Sequence, residues 1–123
     1  MIDLKLWRQF IKTAKADYPE LPVSWEQGAR KALSGKCAHA ARILAALVDG
    51  EYRRGFYHGT INYSDPYRRM SVEPNGSMQH SWVEKHGKIY DPTFWEFEDA
   101  PLGVYVWDVT DTRYRREGKT KTA

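Results

Sequence analysis

Cysteine is nearly absent from this chain: Cys37 is the only one in 123 residues. One thiol cannot close an internal disulfide, so a small secreted scaffold held by bridges is excluded. No run approaches the ~20 apolar residues that a membrane-spanning helix needs. The opening Met1-Ile2-Asp3-Leu4-Lys5 lacks the basic segment, apolar stretch and small-residue cleavage site of a signal peptide. A reducing cytoplasm is therefore the expected location, with no membrane contact. Internal repeats are missing as well. Excess charge is small, at +3 from 19 basic and 16 acidic residues. Five of the basic residues (Arg113, Arg115, Arg116, Lys119 and Lys121) fall in the last eleven positions. The body is close to neutral, and nucleic acid is not expected as a partner.

Aromatic residues are plentiful, with five Trp, eight Tyr and four Phe, and hydrophobic residues make up 41% of the chain. That composition excludes disorder over the whole chain and predicts an aromatic-rich core. The length suits one domain, here expected over residues 1–112, with 113–123 as a basic, flexible C-terminal tail.

Asp3 is placed to cap a first helix whose Leu6, Trp7, Phe10, Ile11 and Ala14 follow helical spacing. Pro19 and Pro22 end it. Ser24-Trp25-Glu26-Gln27 matches a capping box, which predicts a short helix over Trp25–Leu33. After Gly35 a third helix begins at Cys37 and runs to Val48, closed by Asp49-Gly50. Cys37, Ala40, Ala41, Leu44 and Leu47 share one of its faces. From Glu51 the pattern turns to aromatic and β-branched runs broken by Gly, Pro, Asn and Asp. Strands are expected over Tyr52–Asn62, part of Arg68–Val72, Met78–Lys85, Lys88–Asp91 and Val104–Val109. Helices followed by a meander predict an α+β fold, with the Cys-bearing helix packed on an antiparallel sheet.

The placement of Cys37 in a helix's first turn matters chemically. A helix N-terminus carries roughly +0.5 of an elementary charge and unpaired N–H groups, which favour thiolate over thiol. Two downstream blocks, His80-Ser81-Trp82-Val83-Glu84 and Tyr90-Asp91-Pro92-Thr93, supply a base and an orienting carboxylate. His86-Gly87 suits a two-residue hairpin turn. That turn pairs Lys85 with Lys88, Glu84 with Ile89, Val83 with Tyr90 and Trp82 with Asp91. His80 and Asp91 then become diagonal neighbours on one face, and a one-residue slip would separate them.

The three blocks in this order, Gly35-x-Cys37, His80-x-Trp82-Val83-Glu84 and Gly87-Lys88-x-Tyr90-Asp91-Pro92-Thr93, resemble the transglutaminase-like branch of papain-like cysteine enzymes. The likeness covers residues 34–93, about half the chain. It implies a Cys37–His80–Asp91 triad and acyl transfer at amides: proteolysis or isopeptide cleavage, deamidation, or amide exchange. The substrate implied is a protein or peptide, without a cofactor. The chain is short for that family and has no acidic cluster like the calcium sites of animal transglutaminases. A protein partner or a second copy completing the cleft fits that shortness.

For the oxyanion, the Cys37 N–H is the first donor. Gln27 is the candidate for a second donor, although it also reads as the last member of the capping box. Trp82 is a candidate for substrate lining or for shielding the His80–Asp91 hydrogen bond from water, with plain packing as its other reading. Other readings compete. A lone cysteine on an apolar helix face is commonly a small core residue, His80 an ordinary strand residue and Asp91 the turn partner of Pro92. Cys37 and His39 diverge by about 200° on a helix, so they do not form half of a zinc site, and no metal is expected. The main alternative in function is an inactive binding or inhibitor module on the same fold, contacting protein or nucleic acid. Acetyl transfer from a thioester donor is a third reading, without any recognisable coenzyme site.

Overall fold

In a computed structural model of the chain, the structure describes residues 1–19, 26–33, 35–61, 76–97 and 100–117, with the side chains of 26, 27, 28 and 31 left aside. Asp3 caps the first helix as its sequence requires: its side chain accepts the Leu6 N–H at 2.9 Å. Helix α1 (Leu4–Ala14) buries Trp7, Phe10, Ile11 and Ala14 of the predicted stripe, with Leu6 half-buried at its edge. Helix α2 (Glu26–Leu33) and helix α3 (Cys37–Val48) follow. The Ser24-Trp25 half of the capping box lies outside the described residues. Asp49 ends α3 in the left-handed conformation at φ 55°, and its N–H returns to the Ala45 carbonyl.

Among the described residues six strands form one antiparallel sheet: β1 (Ile2–Asp3), β2 (Glu51–Tyr57), β3 (Met78–Lys85), β4 (Lys88–Asp91), β5 (Val104–Asp108) and β6 (Tyr114–Arg116). Their order across the sheet is β1-β5-β4-β3-β2-β6, so a meander of four is flanked by two short edge strands. The fold is α+β, with α1 and α3 packed on the sheet. His86 and Gly87 both take positive φ, 50° and 73°, the geometry a two-residue hairpin needs. The expected pairs Val83–Tyr90, Glu84–Ile89 and Lys85–Lys88 are formed, whereas the fourth, Trp82–Asp91, is not part of the ladder.

The sheet separates two cores. On one face Val83 and Val104 pack with Tyr52 and Tyr90 against Phe10, Ile11, Ala40, Ala41 and Leu44 of the helices. On the other, Tyr57, Met78, Trp82, Ile89, Tyr105 and Tyr114 pack with Phe94 and Phe97 from the chain after β4. Small alanines on α3 bring its backbone close to the sheet. Truncating the fully buried Leu44 to alanine is expected to cost about 2–5 kcal/mol.

Several expectations need correction. Leu47 is 38% exposed, and Val48 packs against the helix-side core instead. At 100° per residue, 48 follows 37, 41 and 44 around the helix more closely than 47 does. The strand after α3 stops at Tyr57 and leaves His58 outside it, while the fifth strand stops at Asp108. The expected strand within Arg68–Val72 lies outside the described residues. The sheet also continues past the expected boundary at residue 112. Tyr114–Arg116 pairs with β2, because Tyr114 buries its ring in the second core, so residues 113–117 are not tail.

Candidate active site

Three elements meet where β4 ends. β3 runs back from Val83 to Met78 beside β2, while the ladder to β4 covers only residues 83–85 of β3. The first turn of α3 reaches β3 there. Beyond Asp91 the chain turns through Pro92 and Thr93 into a short 3-10 helix, Phe94–Glu96. Gly35, just before α3, donates its N–H to Glu96 Oε1 at 3.2 Å, which ties the start of α3 to that segment.

His80 and Asp91 are both fully buried and hydrogen-bonded, His80 Nε2 to Asp91 Oδ2 at 2.8 Å. The hairpin register accounts for this contact, since it puts both side chains on the second-core face. Tyr114 donates its hydroxyl to the same Oδ2 at 2.7 Å. The Thr93 N–H donates to Oδ1 at 3.0 Å. Both carboxylate oxygens are thus engaged, and Asp91 is fixed as an acceptor for the imidazole. Aromatic rings close the pocket: Phe97 lies edge-on to His80 at 4.6 Å between centroids, and Trp82 is 6.0 Å away.

The other imidazole nitrogen, Nδ1, is buried and makes no hydrogen bond of regular geometry among the described residues. It is the nitrogen left for Cys37, whose thiol interacts with His80 and with the Ser81 backbone. Cys37 is half-buried as a residue, whereas His80 and Asp91 are fully buried.

Electrostatics follow from this arrangement. Burial pushes the Cys37 thiol up, but the His80 hydrogen-bonding interaction, the His80 charge and the Ser81 backbone more than offset burial and the opposing Asp91 charge. The thiol is held below its ordinary value. Burial likewise disfavours a charged His80, yet Asp91 by charge and hydrogen bond, with Cys37 adding to both, raises it to about 10. The combination favours a thiolate–imidazolium pair. Lys36, at the N-cap of α3, makes no side-chain capping hydrogen bond, so its side chain does not occupy the first-turn N–H groups.

Not every candidate belongs here. Trp82 is fully buried and gives its indole N–H to Glu84 Oε2 at 3.0 Å. It packs beside His80, with no face open to solvent and its N–H already given to Glu84. The backbone of Gln27 is in α2, and its side chain lies outside the described residues. Cys37 and His39 diverge as expected: His39 sits on the outer surface 3.4 Å from Asp17. Among the described residues no cluster of three His, Cys, Asp or Glu could hold a metal ion, and no helix is long and apolar enough to cross a membrane. No family model, curated protein or solved structure matches this chain. The site's own geometry therefore carries the functional argument.

Two residues at the site were missed from sequence. Tyr114 stands in the run Arg113-Tyr114-Arg115-Arg116, where a single aromatic among cations is a weak strand signal. Glu96 sits among Phe94, Trp95 and Phe97, and an acid inside an aromatic cluster was the available clue. It is 1% exposed.

Proposed function

We propose that the protein is a small cysteine-dependent acyl-transfer enzyme acting on amide bonds, with Cys37, His80 and Asp91 as its triad and a transglutaminase-like, papain-like core as its scaffold. The observation that carries this is the buried 2.8 Å His80–Asp91 hydrogen bond, which leaves Nδ1 of the same ring for the thiol of a half-buried cysteine at a helix start. A thiol, an imidazole and an oriented carboxylate in series are the parts nucleophilic catalysis requires.

In the proposed reaction the Cys37 thiolate attacks the carbonyl carbon of an amide. The carbonyl oxygen takes up the negative charge beside the Cys37 N–H and the positive end of α3. His80, as imidazolium, gives its Nδ1 proton to the leaving nitrogen while the C–N bond breaks, and a thioester to Cys37 remains. Neutral His80 then draws a proton from water, or from an incoming amine, as that nucleophile attacks the thioester and releases Cys37. Asp91 keeps its hydrogen bond with Nε2 and holds the ring's orientation. Protein or peptide is the substrate class, with hydrolysis the first reaction to test. A partner protein or second copy would supply the missing cleft wall.

Alkylation provides the test. At about pH 6–7 Cys37 should react with iodoacetamide far faster than a free thiol, and His80→Ala should slow it to the free-thiol rate. Ordinary reactivity in the wild type, indifferent to His80, would refute the proposal. Truncation after Asp111 does not separate an enzyme from a binding module, because it removes the Tyr114 hydroxyl from Asp91 in either case.

A further inference from the structure

Glu96 is a buried acid that the proposed reaction does not use. Its Oε1 accepts the Gly35 N–H at 3.2 Å, while Oε2 is buried with no hydrogen-bond partner among the described residues. The titratable groups facing it come from three elements: Cys37 on α3, His80 on β3 and Asp91 on β4. Two of those groups are anionic when the triad is poised for attack. A carboxylate there, buried and with one oxygen unpaired, would face those two anions against the single His80 cation and be under-compensated. A carboxylic acid would not be.

From this arrangement we infer that Glu96 is kept as a neutral acid and acts as a positioning residue for the nucleophile: it holds the Gly35–Lys36 turn that sets Cys37 at the start of α3 and keeps a third anion away from the thiolate. The inference rests on the reading of Cys37 as an activated nucleophile. Two further observations support it. Gly35 adopts φ 73°, a conformation that fixes the chain's entry into α3 and that the Glu96 contact pins from the side. Burial, with the charge of Cys37 next in size, pushes the Glu96 carboxyl well above the usual range. Glu96 touches no reacting atom in this scheme, and its influence passes through the turn and through its missing charge.

The alkylation rate of Cys37 as a function of pH tests the inference in the whole chain, using wild type, Glu96→Gln, Glu96→Ala and His80→Ala. Glu96→Ala removes the acceptor for Gly35 and is expected to slow alkylation near neutral pH by about tenfold, the effect of one unit in the thiol's titration. Glu96→Gln keeps both the acceptor and neutrality and should restore the rate. A Glu96→Gln rate severalfold above wild type would mean that Glu96 is an anion beside the thiolate, and it would overturn the inference. So would a Glu96→Ala variant that is less stable to urea yet has an unchanged thiol titration, the mark of a purely structural role. Infrared difference spectroscopy between wild type and Glu96→Gln at neutral pH gives a readout independent of the thiol. A protonated-carboxyl band present only in wild type supports the neutral acid, and its absence overturns it. If wild-type Cys37 is an ordinary thiol indifferent to His80, the proposed function fails and the positioning role fails with it. In that event the band still decides the protonation state of Glu96.

Discussion

One face of the sheet carries two buried acid clusters that solve the same problem differently. At one end Asp91 takes its hydrogen bonds from an imidazole, a phenol and a backbone N–H. At the other Glu84 faces two guanidiniums, Arg53 and Arg116, and the Trp82 indole. The guanidiniums are permanent cations, 25% and 35% exposed, so Glu84 is neutralised by groups that never titrate at working pH. Asp91 is neutralised by a group that can give up its proton. A cluster built for stability alone has no need of a titrating partner. The contrast is the physical reason to place chemistry at the His80 end and scaffolding at the Glu84 end.

Removing each acid should break that contrast most visibly. Asp91→Ala leaves a buried imidazole and a buried hydroxyl without their acceptor, and urea unfolding should show a loss of about 3–5 kcal/mol. Glu84→Ala lets both arginines turn to water and strands the Trp82 N–H, a loss of about 1–2 kcal/mol. Alkylation of Cys37 should collapse in the first variant and persist in the second. Equal losses of stability with equal thiol reactivity would show that the two clusters are of one kind.

Acid and alkali should separate the clusters next. Burial works against the Glu84 carboxylate, but the Arg116 and Trp82 hydrogen bonds hold it below its ordinary 4.5. Its stabilisation is present above that value and is lost as pH falls. His80 is raised above its ordinary 6.5, so its stabilisation is present below that value and is lost as pH rises towards about 10. Cys37, lowered from 9.0, runs the other way: its contribution is present above that value and lost as pH falls through the lowered one. A Cys37→Ala background removes this opposing titration. There, unfolding free energy should decline on the alkaline side of pH 6.5 by something on the order of 1–2 kcal/mol, and His80→Ala should flatten the decline. Glu84→Gln should flatten the acid limb and leave the alkaline one unchanged.

Much of the His80 end was legible because its determinants are local. A His86-Gly87 turn sets a two-residue hairpin, and the hairpin sets which side chains share a face. The bounds of β3 and β4, and the meeting of His80 with Asp91, follow from those few residues. The start of α3 was equally local, with Gly35 before it and an alanine-rich run after. What escaped was held by distant contacts. Tyr114 reaches Asp91 from 23 positions away, and Glu96 meets Gly35 across 61. No period or turn signal encodes either contact. Strand β1, of two residues, is likewise set by its partner β5 rather than by its own pattern. Leu47 was misplaced for a simpler reason, since an apolar residue on the flank of a helix stripe is ambiguous until the packing surface is known.

The finest distinction lies between the hydroxyl of Tyr114 and the guanidinium of Arg116, neighbours on β6 that serve opposite clusters. Tyr114→Phe keeps the ring in the second core and deletes only the donor to Asp91. The expected loss is about 1 kcal/mol, and Cys37 alkylation should slow severalfold, because an Asp91 freed from one donor can rotate away from His80. Arg116→Gln removes a partly exposed ion pair while Arg53 remains as a second cation. Its expected loss is about 0.5 kcal/mol, it should shrink further in high salt, and it should leave the thiol rate unaltered. The two substitutions lie two residues apart on one three-residue strand, so damage to β6 itself would affect both alike. A slowed thiol in Tyr114→Phe beside an unaffected one in Arg116→Gln would therefore locate the effect in the Asp91 hydrogen bond. Equal slowing in both would assign it to the strand.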